Sequence, residues 1–191
     1  MNILILYAHP YSKSFNHAIL TELDSTLRSH GHTTKIKDLY KMTFKCTLDA
    51  EDLSRIKKGD IPEDIKKEQA DVLWANALVF IYPIWWMSRP AILQGWIDRV
   101  FLNGFAFTYE WGEKGLLKHA KALVIQTAGS GKEFFEKAGL DKTIELSMTE
   151  GTLKFCGIHH ITYRVFYGVG SVSQEERERF LEEVRELGRT F

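Results

Sequence analysis

The chain has little cysteine. Cys46 and Cys156 are the only two in 191 residues, far apart and in no C-x-x-C pair, which argues against a disulfide framework or a structural zinc site and for reduced thiols. It has no excess charge either. Its 25 basic and 25 acidic residues balance, so there is no global electrostatic case for nucleic acid or an acidic membrane as partner. No apolar run reaches the ~20 residues that span a bilayer. The apolar start Met1–Tyr7 lacks a basic flank and meets His9-Pro10 too soon for a signal peptide. Repeats, low-complexity tracts and internal linkers are missing too. What remains is the expectation of one soluble, cytoplasmic domain over residues 1–191, large enough to bury a core without staples.

Within that domain one stretch organises the rest. The apolar run Ala77–Ile81 leads into Tyr82-Pro83-Ile84-Trp85-Trp86-Met87-Ser88-Arg89-Pro90, and a helical pattern follows to about Leu102. A short β-rich run ending in an aromatic loop and then a helix puts two large flat side chains at the carboxyl end of a strand, where open α/β sheets bind ligands. The helix carries Ile92, Leu93, Trp96, Val100 and Phe101 at i, i+3, i+4 spacing, so Trp96 is expected in the core.

The other strands are read in order as Ile3–Tyr7, Thr33–Leu39, Ala122–Gln126 and Ile158–Tyr167. Helices are expected from Phe15 to Ser29, from Pro62, from Lys142 to Lys154, and from Ser173 to Leu187, the last with Ser173 and Glu176 as a capping box. Strands alternating with helices five times predict an α/β fold: a doubly wound five-stranded parallel sheet of order 2-1-3-4-5 with helices on both faces. In that order the loops after the first, third and fourth strands share one crevice.

Those loops carry different chemistry. The first holds Ser12, Ser14 and Asn16 at a helix N-terminus, a place suited to phosphate; from spacing alone Ser14 is more often an ordinary N-cap, and His9 a turn histidine bonded to backbone. The third offers Trp85 and Trp86 for a flat apolar ring. The fourth, Thr127-Ala128-Gly129-Ser130-Gly131, lets backbone N–H groups approach a ring's polar edge. A further aromatic loop, Phe105 to Gly112, fits either a ligand wall or interface, or burial within its own subunit.

Taken together these residues resemble the NAD(P)H:quinone oxidoreductases of the DT-diaphorase type and their short bacterial and archaeal relatives, which have flavodoxin-like folds. The resemblance rests on Ala8-His9 with Ser14-Phe15-Asn16, on Asp38-Leu39-Tyr40, on Pro83 through Phe101, on Phe105 to Tyr109, on Thr127-x-Gly129-Ser130-Gly131 and on Phe155-Cys156-Gly157. It implies a homodimeric flavoprotein with FAD, or alternatively FMN. Such an enzyme takes hydride from NAD(P)H onto flavin N5 and then passes two electrons to a quinone-like acceptor in a ping-pong cycle. Carried over by position, His9, Ser14, Phe15, Asn16 and Ala18 contact phosphate and ribityl. Pro83, Ile84, Trp85, Trp86 and Met87 form the ring's wall, and Thr127, Ala128, Gly129 and Ser130 its polar edge. Phe107, Tyr109 and Phe155 join Trp86 in binding substrate, with Trp86, Tyr109 and Gly129 as the catalytic set; Phe107 and Tyr109 would reach into the partner subunit's slot. No metal is implied.

The chain also departs from that pattern. Phe134 and Leu140 stand where the animal enzymes have a Tyr and a His, and neither can donate a hydrogen bond. The expected substitute is the row of backbone N–H groups from Ala128 to Gly131. Phe107 replaces a Tyr, and the long C-terminal extension of the animal enzymes is not present. Two other functions suit the same fold. One is a flavin-bearing regulatory subunit of a membrane partner such as a potassium-efflux system; the other is a one-electron carrier, disfavoured because such carriers are strongly acidic and this chain is neutral.

Overall fold

The computed structural model describes residues 1–110 and 114–191. Trp111 and Gly112 of the expected aromatic loop lie outside them. In chain order the elements are β1 (Asn2–Tyr7), α1 (Phe15–Ser29), β2 (Thr33–Asp38), α2 (Ala50–Lys57), α3 (Glu63–Trp74), β3 (Ala77–Pro83), α4 (Ala91–Val100) and the short β4 (Phe107–Thr108) and β5 (Lys114–Gly115). Then come β6 (Lys121–Thr127), α5 (Lys132–Lys137), α6 (Leu140–Met148), a π-helical segment (Thr149–Lys154), β7 (Ile161–Phe166) and α7 (Gln174–Thr190).

The main sheet is parallel with order β2-β1-β3-β6-β7, the expected 2-1-3-4-5, while β4 and β5 form a separate antiparallel pair. The central strands β1, β3 and β6 are buried on both faces, as helices on both sides require. Their side chains divide with a period of two. Ile3, Ile5, Val79, Ile81, Leu123 and Ile125 face α1 and α7, whereas Leu4, Leu6, Leu78, Phe80, Ala122 and Val124 face α3, α4 and α6.

Trp96 is fully buried, and its indole N–H donates to Glu68 Oε2 at 2.9 Å. The polar connection between β2 and α3 is pinned by Arg99 of α4, which is 1% exposed, donates to both carboxylate oxygens of Asp52 at 3.0 and 3.2 Å, and pairs with Asp64. Close approach makes this possible: a Cβ at Gly95 would stand 1.7 Å from the Cys46 carbonyl oxygen.

Several details differ from expectation: α5 and the β4–β5 pair have no counterpart in the sequence reading, and the last strand is shorter, Ile161–Phe166. The helix read from Lys142 to Lys154 begins at Leu140 and changes to a π-helix at Thr149. In α7 the Ser173 hydroxyl accepts from the Glu176 N–H at 3.2 Å, but the Glu176 carboxylate pairs with Arg179, so only half of the capping box forms. Among the described residues no helix is long and apolar enough to cross a membrane.

Candidate active site

Parallel order brings the carboxyl ends of β1, β3 and β6 side by side, and the loops leaving them enclose a cleft of about 370 Å³. Its lining includes His9, Ser14, Phe15, Asn16, Pro83, Ile84, Trp85, Thr127 and Gly129, together with Val169 from beyond β7. Nine of these ten were expected from the sequence.

The β1 loop supplies donors. Ser14 caps α1, its hydroxyl accepting from the His17 N–H at 3.2 Å, and the first-turn N–H groups of Phe15 and Asn16 have no intrahelical acceptor. Ser14 is therefore an N-cap, and the helix start beside it keeps unpaired first-turn N–H groups. His9 Nδ1 accepts from the Tyr11 N–H at 3.1 Å, which leaves the neutral ring's proton on Nε2. Burial lowers the His9 pKa, favouring that neutral form.

Asn16 is 3% exposed and joins two loops: its Nδ2 donates to the Thr127 hydroxyl at 2.7 Å. Its Oδ1 is buried without a partner among the described residues. A buried polar atom left unpaired costs about 1–3 kcal/mol, so Asn16 holds an acceptor in reserve on the lining of the cleft.

The β3 loop turns sharply. Trp85 and Ser88 exchange backbone hydrogen bonds of 3.0 Å in both directions, and the residues between them, Trp86 and Met87, have φ of 51° and 56°. Two left-handed residues in a two-residue turn are the hallmark of a type I′ turn, which normally uses Asn and Gly. The geometry separates the two tryptophans. Trp85 lines the cleft, with its ring 6.1 Å from that of His9, whereas Trp86 stands at the tip, 98% exposed. The expected double wall is thus single within one chain. Met87 packs against the buried cluster of Ala128, Phe135, Ile144 and Val165, as Leu140 also does.

The β6 loop also needs a correction. The Ala128 N–H donates to the Phe166 carbonyl at 2.9 Å, so it is not free for a ligand. Among the described residues no acceptor takes the N–H groups of Gly129, Ser130 or Gly131. A Cβ at Gly129 or Gly131 would meet nothing within 4 Å, so no crowding within the chain calls for glycine there. Phe134 is exposed on α5 and Leu140 is half-buried, both without donors.

A second chamber of about 360 Å³ adjoins the cleft and shares Ser14, Phe15 and Val169 with it. Ala18 lies here, with Lys13, Gln174, Arg177 and Leu181. Arg177 donates to the Val172 carbonyl at 2.8 Å, and neither it nor Lys13 has a carboxylate partner among the described residues. The sequence hid this chamber because α7 reads as a solvated face of alternating acids and bases. Only the packing of α7 on α1 brings Arg177 to Lys13.

Three of the four expected substrate residues assemble, without Trp86 and away from the cleft. The Phe107 ring lies 5.3 Å from Tyr109 and 5.1 Å from Phe155. Phe107 and Phe155 line a groove of about 520 Å³ between α4 and the α6–π-helix segment, which shares no lining residue with the cleft. Ser130 is exposed beside the cleft, its carbonyl accepting from the Gly168 N–H at 2.9 Å.

A family model described as flavodoxin-like fold matches residues 1–187. The chain belongs to that family. Its relatives include a Haemophilus influenzae protein called an uncharacterized NAD(P)H oxidoreductase, 36% identical over 95% of this chain and 91% of that protein. The mouse ribosyldihydronicotinamide dehydrogenase [quinone] is 32% identical over 94% of this chain and 87% of its own length. Among solved structures, an NAD(P)H:quinone oxidoreductase from Methanothermobacter marburgensis superposes with a TM-score of 0.90 at 35% identity, covering 99% of this chain and 98% of that one. Within the flavodoxin-like fold family, this chain groups with the NAD(P)H:quinone oxidoreductases.

The residues present fit a flavin. An unpaired amide oxygen, an anion-ready helix start, a tryptophan face and three unclaimed N–H groups answer in turn to the hydrogen-bond donors, phosphate, flat rings and polar edge of such a molecule.

Proposed function

We propose that this chain is a flavin-dependent NAD(P)H:quinone oxidoreductase that works as a homodimer with FAD. The observation carrying the reading is the unpaired Asn16 Oδ1 at a cleft built from three strand ends. Bound there, the flavin would take a hydride from NAD(P)H and return two electrons to a quinone, one substrate leaving before the other enters.

The chain's own residues prepare for this. The α1 N-terminus, Ser14 and the His9 Nε2–H would hold phosphate, and Trp85 would cover one apolar ring face and exclude water from it. With Phe134 and Leu140 unable to donate, Gly129, Ser130 and Gly131 are left to stabilise negative charge at the ring's edge through N–H groups fixed in advance. The adjoining chamber favours FAD over FMN: its two unpaired cations, Lys13 and Arg177, suit a second phosphate and the adenosine beyond it. Phe107, Tyr109 and Phe155 lie outside their own chain's cleft, which supports their serving the partner subunit's site, next to the exposed Trp86.

The test is anaerobic. Adding NADH or NADPH to the flavin-loaded protein should bleach the flavin absorbance with one equivalent per site, and a quinone should restore it. Double-reciprocal rate plots should be parallel. A flavin that stays oxidised with both nucleotides would sink the reading.

A further inference from the structure

At the amino-terminal ends of β3 and β6, the opposite end of the sheet from the cleft, lies a pocket of about 320 Å³, close in size to the cleft's 370 Å³. Its apolar walls come from the end of α3 and the turn after it (Leu73, Ala75), from the segment before β4 (Phe105) and from the connection between β5 and β6 (Leu116, Leu117, Ala120). That connection is fastened by its backbone. The N–H groups of Leu116, Leu117 and Ala120 donate to the carbonyls of Ala106, Cys156 and Asn76 at 2.8, 2.9 and 2.8 Å. Leu73 is 70% exposed, a large apolar side chain left outside the core.

The polar part of the lining is small. It holds no carboxylate among the described residues, Lys118 is exposed, and the Asn76 side chain already accepts from the Asn2 N–H at 2.8 Å. His119 differs. Its Nε2 lies 2.9 Å from the Val72 carbonyl, and since a carbonyl only accepts, Nε2 carries the ring proton. Nδ1 is then a bare lone pair, buried with no donor among the described residues. Burial lowers the pKa of this ring against the pull of the Val72 bond, which keeps the imidazole neutral and Nδ1 an acceptor.

We infer that this pocket is a second small-molecule site whose ligand is a phenol, its ring set among Leu73, Phe105, Leu116 and Leu117 and its hydroxyl donating to His119 Nδ1. A mostly apolar pocket with one oriented polar group is the ordinary form of such sites. Other chemistries fit less well. A carboxylate would set an acceptor against an acceptor and bring negative charge to the carboxyl end of α3, where the helix dipole is already negative. An ammonium would lose its hydration among apolar side chains with no acid to pair with. A plain hydrocarbon would leave Nδ1 unpaired. Among neutral donors a phenol O–H is more acidic than an aliphatic one, and so the stronger. The pocket shares no lining residue with the cleft, so binding here is independent of the flavin reading.

The test follows the leucine methyl resonances of the ¹³C-labelled, flavin-loaded protein during titration with phenol, with anisole, which keeps the ring but has no donor, and with benzoate. Phenol should shift the methyls of Leu73, Leu116 and Leu117 saturably, with a Kd on the order of a millimolar. Anisole should bind about tenfold more weakly, and benzoate more weakly still. His119→Phe removes the acceptor and should bring phenol and anisole to within about twofold of each other. Leu73→Asp, an exposed position that the core does not use, should weaken both alike by about tenfold, read at Leu116 and Leu117; it locates the site even if the His119 variant fails to fold. No saturable shift at these leucines, equal affinities for phenol and anisole in the parent, or phenol binding unmoved by Leu73→Asp overturns the inference.

Discussion

Asn16 gives its amide hydrogen to the Thr127 hydroxyl at 2.7 Å and keeps its own buried oxygen unpaired. One residue therefore ties the start of α1 to the end of β6 and leaves a buried acceptor beside the cleft. Asn16→Ala removes that acceptor, and flavin affinity should fall about 10- to 100-fold, given ~1.4–2.8 kcal/mol for a buried hydrogen bond to a ligand. Fluorescence titration of the apoprotein reads this directly. An unchanged affinity would show that the oxygen has no ligand to answer.

Arg177 separates the two flavins. Arg177→Met leaves the cleft intact and removes a cation from the adjoining chamber, so FAD binding should weaken about tenfold or more while FMN binding holds. Equal losses for both, or FMN as the flavin released on heating the purified protein, would count against FAD.

The turn at Trp86 stores strain. A non-glycine residue with φ of 51° pays a steric penalty of roughly 1–2 kcal/mol, and Trp86, 98% exposed, recovers none of it by packing within its chain. Trp86→Asn should thus raise the stability of the apoprotein by up to about 1 kcal/mol in urea unfolding at a fixed protein concentration. Quinone turnover should drop in the same variant. Lower stability would mean that the turn is not strained.

Arg99 holds the β2–α3 connection electrostatically. Arg99→Met leaves the buried Asp52 with Lys45 as its only base and should cost up to about 3–5 kcal/mol of stability. A pH dependence accompanies it. Burial pushes the Asp52 carboxyl up, but hydrogen bonds from Arg99 and Lys45 outweigh that and hold it below the usual carboxylate range; the Arg99 bond does the same for Asp64. A carboxylate lowered in the folded state binds fewer protons there than when unfolded. Its stabilisation is present above the ordinary carboxylate pKa and fades as pH falls through the lowered value. Melting temperatures measured between pH 7 and pH 3 should show this loss in the parent and a flatter slope in Arg99→Met.

How much of this was legible in the sequence follows from which forces act locally. The strands β1, β3 and β6 are continuous apolar runs because both of their faces are covered, and their order follows from alternation with helices. The cleft was legible for the same reason, since loops after such strands must converge. What escaped was set by single backbone angles or by distant packing. Nothing in Trp85-Trp86 says which ring points inward; the two positive φ values decide it. Likewise Ala128 looks as free as Gly129 until β7 claims its N–H. Arg177 and Lys13 are 164 residues apart and meet only because α7 lies on α1, and the π-helix has no periodic signature of its own.

Thr127 has a wider consequence. Its carbonyl accepts from the Ile84 N–H at 2.8 Å and its hydroxyl accepts from Asn16, so the three loops around the cleft are fastened to one buried side chain and its backbone. Such a cradle is rigid before any cofactor arrives. Little chain entropy is then lost on binding, and association should be governed by diffusion and desolvation with no slow ordering step. Departure becomes the step that sets residence time.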